Sequence, residues 1–318
     1  MNRGEFLAFV AAAPSAIRSA RVAGTPAPLA LVTVDSEARI AAVNLATGRI
    51  ERFLATLAGP RSIESVGGRT AVVAHTAVGA VTIVEGRSLA VRSVVGEFEE
   101  PRYAAALADG RHAYVTDSAR GEVAVVDVVH GRVLRRTKVG LWARHLSLEP
   151  AGRRLWIGLG TEARLVAVVD VEQPLRPRLL HRFRPPFLAH DVGFSPHGHQ
   201  VWVTSGDRDR IAVYDAATAR LRYTLAAGSP PQHVSFGPGV AYVTSGEDGT
   251  LRVHSLADGA LLRTTRVPAG SYNVQQGFGR VLTPSLDLGT LCVLDGRGRL
   301  VERLRVAPSS HDACFVSR

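Results

Sequence analysis

Cysteine is nearly absent: Cys292 and Cys314 are the only two in 318 residues, which excludes a disulfide-built scaffold and any paired-cysteine metal site. Both read as small buried hydrophobic side chains. Lysine is scarcer still, since Lys138 is the only one, so the net charge of +10 rests on arginine. Those arginines recur singly or in pairs at similar places, as in "GRVLRRTKVG", "RLRYTLAAG", "ALLRTTRVPAG" and "GRLVERLRVAP". Dispersed charge of this kind solvates outer strand faces and does not build the basic patch that a nucleic acid needs. Beyond the first residues no apolar run approaches the roughly 20 residues needed to cross a bilayer. No GxSxG, HExxH, Walker or dinucleotide fingerprint occurs, which excludes catalysis by a familiar motif.

What is present is apolar and turn-rich. Hydrophobic residues make up 46% and charged residues 21%, with 31 glycines and 17 prolines spread along the whole length. This is the composition of a globular all-β chain with frequent turns and no linker. The first residues, "MNRGEFLAFVAAAPSAIRSARVAG", have the layout of an export signal. They resemble a twin-arginine leader, with Gly4 where that motif has its second arginine. The same segment also reads as an uncleaved, partly helical extension, so the compartment, cytoplasmic or exported, stays open. The expected organisation is an N-terminal extension over 1–28 and one domain over 29–318.

That domain is repetitive. Short β-rich runs end in Asn44, Glu85, Asp127, Asp170, Asp215, Ser255 and Asp295. The spacing is 40 to 45 residues, the period of propeller blades. A second landmark, Val32-Thr33, Val73-Ala74, Val115-Thr116, Ile157-Gly158, Val203-Thr204, Val243-Thr244 and Leu282-Thr283, repeats in step. Seven units of four antiparallel strands are therefore expected, each unable to bury both faces alone. The first unit lacks its inner strand, and "HDACFVS" from His311 matches the inner-strand text "HDVGFSP" from His190. The chain is thus expected to form a seven-bladed β-propeller closed by its C-terminal strand pairing with the first blade. Trp156, Trp202, Tyr114 and Tyr242 share one strand position and read as packing between blades.

The units "LADGRHAYVTDSARGEVAVVD" and "FSPHGHQVWVTSGDRDRIAVYD" resemble the YVTN repeat of bacterial propellers, a family that does not share one activity. Related seven-bladed lactonases carry an Arg-His pair ahead of a Pro-x-Gly turn, and "ARHLSLEPAG" places Arg144 and His145 there. The resemblance to lactonases stops at Ala143 and Leu159-Gly160, where those enzymes have proline and Asn-Glu.

Propeller topology brings the start of every inner strand to one face of the central channel. The second position of each holds Glu64, Tyr103, His145, Asp191, His233, Asn273 and Asp312. The position before it adds Arg102, Arg144, His190, Gln232, Tyr272 and His311, and loops bring Asp207, Asp209, Glu247 and Asp248. A wet channel needs polar lining in any propeller. The same groups also make a candidate site for a small molecule, an ion or a protein. His145, Asp191, His233 and Asp312 are the candidate ligands of a divalent ion, and their mixed chemistry suits a borderline transition metal better than calcium. Two functions follow. One is a monomeric binding propeller with no nucleic-acid partner and no membrane span. The other is a metal-assisted lactonase- or lyase-type enzyme with His190 or His311 as base.

Overall fold

The computed structural model describes residues 28–160 and 164–317, so the N-terminal extension expected over 1–28 lies outside the described residues except for Pro28. Among the described residues, twenty-eight strands form seven four-stranded antiparallel sheets. Blades two to seven each take four consecutive strands, from the channel outwards. In blade five these are Ala189–Phe194, Gln200–Ser205, Arg210–Asp215 and Leu221–Ala226. Blade one is composite. Its three outer strands are Leu29–Val34, Arg39–Asn44 and Arg49–Ala55, and its innermost is Ser310–Val316 from the chain end. That strand runs antiparallel to Leu29–Val34, with Ala30 opposite Phe315 and Leu31 opposite Cys314.

Packing explains why these runs are β-branched throughout. The middle two strands of a blade are buried on both faces, and only the fourth alternates between wall and solvent, as Leu221–Ala226 does. Buried side chains fall into seven clusters, one at each junction between neighbouring sheets. The junction of blades seven and one packs Leu282, Leu291 and Val293 against Ala30, Val32, Ala313 and Phe315. The next junction packs Leu31, Ile40 and Cys314 against Ile63, Ala71 and Val73. Trp156, Trp202, Tyr114 and Tyr242 are the largest fully buried side chains and belong to these junctions. Both cysteines are free and buried. Truncating one such tryptophan to alanine costs about 3–5 kcal/mol in a typical core.

The polar landmark that ends each third strand caps a turn. Asn44 Oδ1 accepts from the Ala46 and Thr47 amides, Glu85 from Arg87 and Ser88, and Asp127 from Val129 and His130. Asp215 accepts from Thr218 and pairs with Arg222, which hold its carboxyl down at about 2. The repeat is therefore written partly in hydrophobic strands and partly in these turn carboxylates. Most arginines of the fourth strands, including Arg132, Arg135, Arg266 and Arg305, are exposed, as dispersed charge implies. No helix among the described residues is long and apolar enough to cross a membrane.

A chain ending at Pro308 loses a strand whose seven residues are all buried. Exposing the faces it covers on both neighbours removes several kcal/mol, since each large apolar side chain contributes about 1.5–3 kcal/mol. Its melting temperature is expected to fall by about 10 °C or more, measured by thermal denaturation against the full chain.

Candidate functional site

Inner strands begin irregularly, and that irregularity sets the channel mouth. In blades one, three and five the pairing with the second strand slips by a bulge at Ser310–Ala313, Pro101–Ala104 and Ala189–Val192. A bulge leaves a backbone amide without its ladder partner. Here the threonine of the second strand receives it: Asp312, Tyr103 and Asp191 amides donate to the Oγ1 atoms of Thr33, Thr116 and Thr204. Each hydroxyl then donates to the next blade. Thr33 reaches the Arg61 carbonyl, Thr116 that of Arg144 and Thr204 that of Gln232, and Thr244 likewise reaches Tyr272. The recurring threonine is thus a stitch between neighbouring inner strands. In blade four Gly158 replaces it, and the strands pair directly through Arg144 and His145.

All seven second-position residues, Glu64, Tyr103, His145, Asp191, His233, Asn273 and Asp312, line one cavity of about 220 Å³. The polar residues before them, Arg102, Arg144, His190, Gln232, Tyr272 and His311, do not line it. Arg102 and Arg144 line a neighbouring pocket. Gln232 accepts the Gly246 amide, and His311 sits 3.5 Å from the Asp35 carboxylate. His190 still reaches the channel histidines: within the blade-five bulge its ring lies 4.9 Å from His145 and 5.3 Å from His233. Asp207 and Asp248 are engaged in their own loops, with Leu188 and Arg252.

Among the described residues, His145, His190 and His233 are brought together with ligand nitrogens within 4.8 Å of one another. Tyr103 stacks on His145 at 3.8 Å. Burial above all, then repulsion among the imidazoles and from Arg144, holds His145 and His190 well below the ordinary histidine value. Both rings are neutral near pH 7, the form that binds metals. Neither nitrogen of buried His145 has a hydrogen-bond partner.

Two of the four ligand candidates read from sequence are otherwise occupied. Asp191 accepts the Val192 and Val234 amides, and Asp312 accepts those of Ala313 and Ile63. Each carboxylate ties its own strand to the next blade, so Asp191 and Asp312 stand outside the imidazole group and His190 takes their place in it. Asp191 Oδ2 also lies 3.4 Å from His233 Nδ1. A carboxylate behind a histidine orients the ring and leaves Nε2 for an ion. Asn273 plays a similar fastening part, donating to the His311 carbonyl.

The opposite wall is acidic. Glu64 is enclosed there, and burial first, then repulsion from Asp312, pushes its carboxyl up to about 8 against a hydrogen bond from Gln275. Ser147, Ser235 and Gln275, two residues further along the same strands, lie outside the positions that the repeat singles out. Period-two alternation places them on the channel side, and all three line the cavity. Ser147 and Ser235 accept the Phe194 and Gln276 amides of the next blade.

No protein-family model and no curated protein matches the sequence. Solved structures match in fold. A functionally unknown protein from Desulfotomaculum acetoxidans superposes with a TM-score of 0.78 at 11% identity, over 91% of this chain and 99% of its own. A provisionally assigned 6-phosphogluconolactonase from Bacteroides fragilis gives 0.72 at 12%, over 92% and 98%. The dihydro-heme d1 dehydrogenase NirN, in complex with DHE, gives 0.65 at 15% over 90% of this chain, which spans 65% of NirN's length. At these identities the likeness establishes the propeller and nothing finer.

The raised Glu64 carboxyl carries a pH signature. The folded state holds this proton more tightly than the unfolded chain, so its stabilising effect is complete below the ordinary value of 4.5 and is lost as pH rises through about 8. Urea unfolding from pH 4.5 to 8.5 is expected to show that decline, and Glu64→Gln to flatten it.

Proposed function

We propose that this propeller is a binding protein that holds one divalent transition-metal ion on His145, His190 and His233 and presents it to a small molecule in the channel. The observation that carries the reading is the convergence of three imidazoles, two of them held neutral and one with both nitrogens unpartnered. Buried polar atoms are rarely left unsatisfied in folded proteins, and an ion supplies what His145 lacks. Tetrahedral coordination with bonds of about 2.0–2.1 Å sets ligand nitrogens about 3.4 Å apart. Drawing the three groups inwards by about 1 Å, within the reach of side-chain rotation, meets that spacing. An all-imidazole set favours Zn²⁺, Cu²⁺ or Ni²⁺ over Ca²⁺ or Mg²⁺. The cavity, at about 220 Å³, is smaller than the roughly 300–1,000 Å³ of sites for drug-sized ligands, so the companion molecule is small.

Titration calorimetry and metal analysis test this reading. About one Zn²⁺, Cu²⁺ or Ni²⁺ per chain is expected, with affinity falling at least 100-fold when His145, His190 and His233 are replaced together by alanine. A wild-type chain that binds none of the three ions, or a triple variant that binds like wild type, overturns it.

The protonated Glu64 favours a second reading, a metal-assisted enzyme of the lactonase or lyase type. The ion, when bound, supplies a Lewis acid for a substrate carbonyl. Glu64, neutral near pH 7, then donates its proton to the departing ring oxygen as water adds to the carbonyl carbon, and the proton released by the added water restores the Glu64 carboxyl. With His190 among the ligands and His311 turned to Asp35, neither serves as the free base that sequence suggested. Glu64→Gln is expected to lower kcat on a reactive lactone by about 10²- to 10⁴-fold with metal affinity unchanged. An inert metal-loaded protein across a lactone and ester panel rules this second reading out.

A further inference from the structure

Beside the imidazole cluster is a second pocket, of about 190 Å³, lined by Arg102, Ser118, Trp142 and Arg144. Two adjacent blades each contribute an arginine to it. Their Nε atoms are buried without hydrogen-bond partners, and neither guanidinium forms an ion pair among the described residues. Glu100 acts on Arg102 only from beyond ion-pair reach, whereas Arg144 and Arg61 repel it. Two half-buried cations side by side without a carboxylate leave an anion as the partner the pair lacks. The backbone at both positions is anchored from a neighbouring blade, since Ser62 donates to the Arg102 carbonyl and Thr116 to that of Arg144.

The loop above is strained. Trp142 has a φ of 60°, left-handed backbone that bulky residues rarely adopt. It is held there by its amide's bond to the Ser118 carbonyl at 2.9 Å, while Ser118 Oγ donates to the Ala143 carbonyl at 2.7 Å. Trp142 is 41% exposed and its neighbour Leu141 67%. Strain of this kind recurs at ligand clamps. An apolar platform is thus fixed next to two unpaired guanidiniums.

We propose that the channel mouth takes an organic anion, its carboxylate or phosphate held between Arg102 and Arg144 and its apolar body laid on Trp142. Guanidiniums suit either group, because their planar donors match paired oxygens. This names a ligand class for the binding face read above, yet it stands on the arginines and not on the histidines. The two readings therefore fail separately.

Titration calorimetry on the full, metal-free chain with phenylacetate, phenyl phosphate, acetate and inorganic phosphate tests it. One of the two aromatic anions is expected to bind, which identifies the charged group as carboxylate or phosphate, and its bare counterpart to bind at least tenfold more weakly. Arg102→Gln and Arg144→Gln are each expected to weaken the aromatic anion at least tenfold. Trp142→Ala is expected to erase its advantage over the bare ion. Unchanged melting temperatures show that the variants are folded. Failure of both aromatic anions to bind, or wild-type affinity in both arginine variants, overturns the proposal. His233→Ala serves as the separating control: retained anion binding with lost metal affinity supports both assignments, while loss of anion binding there and in neither arginine variant overturns this one.

Discussion

Every blade depends on its neighbours for both of its faces. A four-stranded sheet of six-residue strands has too little area to form a core by itself, and here each sheet is apolar on both sides. Burial is complete only when the last sheet meets the first. That is why the strand from the chain end, packed against Leu29–Val34, touches the clusters on both sides of blade one. The large rings of Tyr114, Trp156, Trp202 and Tyr242 fill the junctions between blades three and seven.

Closing the ring crowds seven inner strands around one axis, where neither a continuous ladder nor bulk water satisfies every amide. The bulges in blades one, three and five and the threonine hydroxyls that answer them are the local solution. Asp191, Asp312 and Asn273 belong to the same system, each fastening one inner strand to the next. Much of the channel's polarity is therefore spent on the fold. Among what is left over in the described residues are His145 with both nitrogens unpartnered, and Arg102 and Arg144 with neither ion pair nor Nε partner. Groups that the architecture does not use are those most open to a ligand.

The channel is electrically divided. Blades four to six bring imidazoles, and Arg102 and Arg144 stand close enough to depress His145. The far wall carries Glu64 and Asp312, both raised, with burial the largest cause in each. The arginines at the channel's edge remain cationic, which favours the entry of an anion.

Sequence alone determined the number of blades, the borrowed inner strand and the packing role of the aromatic slot, because period, β-branched runs and turn residues are local chemistry repeated seven times. It also identified the seven positions around the channel, since strand register places equivalent residues alike in every blade. Tertiary structure decided which of them are free. Whether Asp191 ligates an ion or fastens an amide depends on where Val234 of the next blade presents its N–H, and no spacing along the chain encodes that distance. His190 joins His145 and His233 through a bulge, and Trp142 joins two arginines around one pocket through a left-handed turn. Both are departures from the regular backbone on which any reading of periodicity relies.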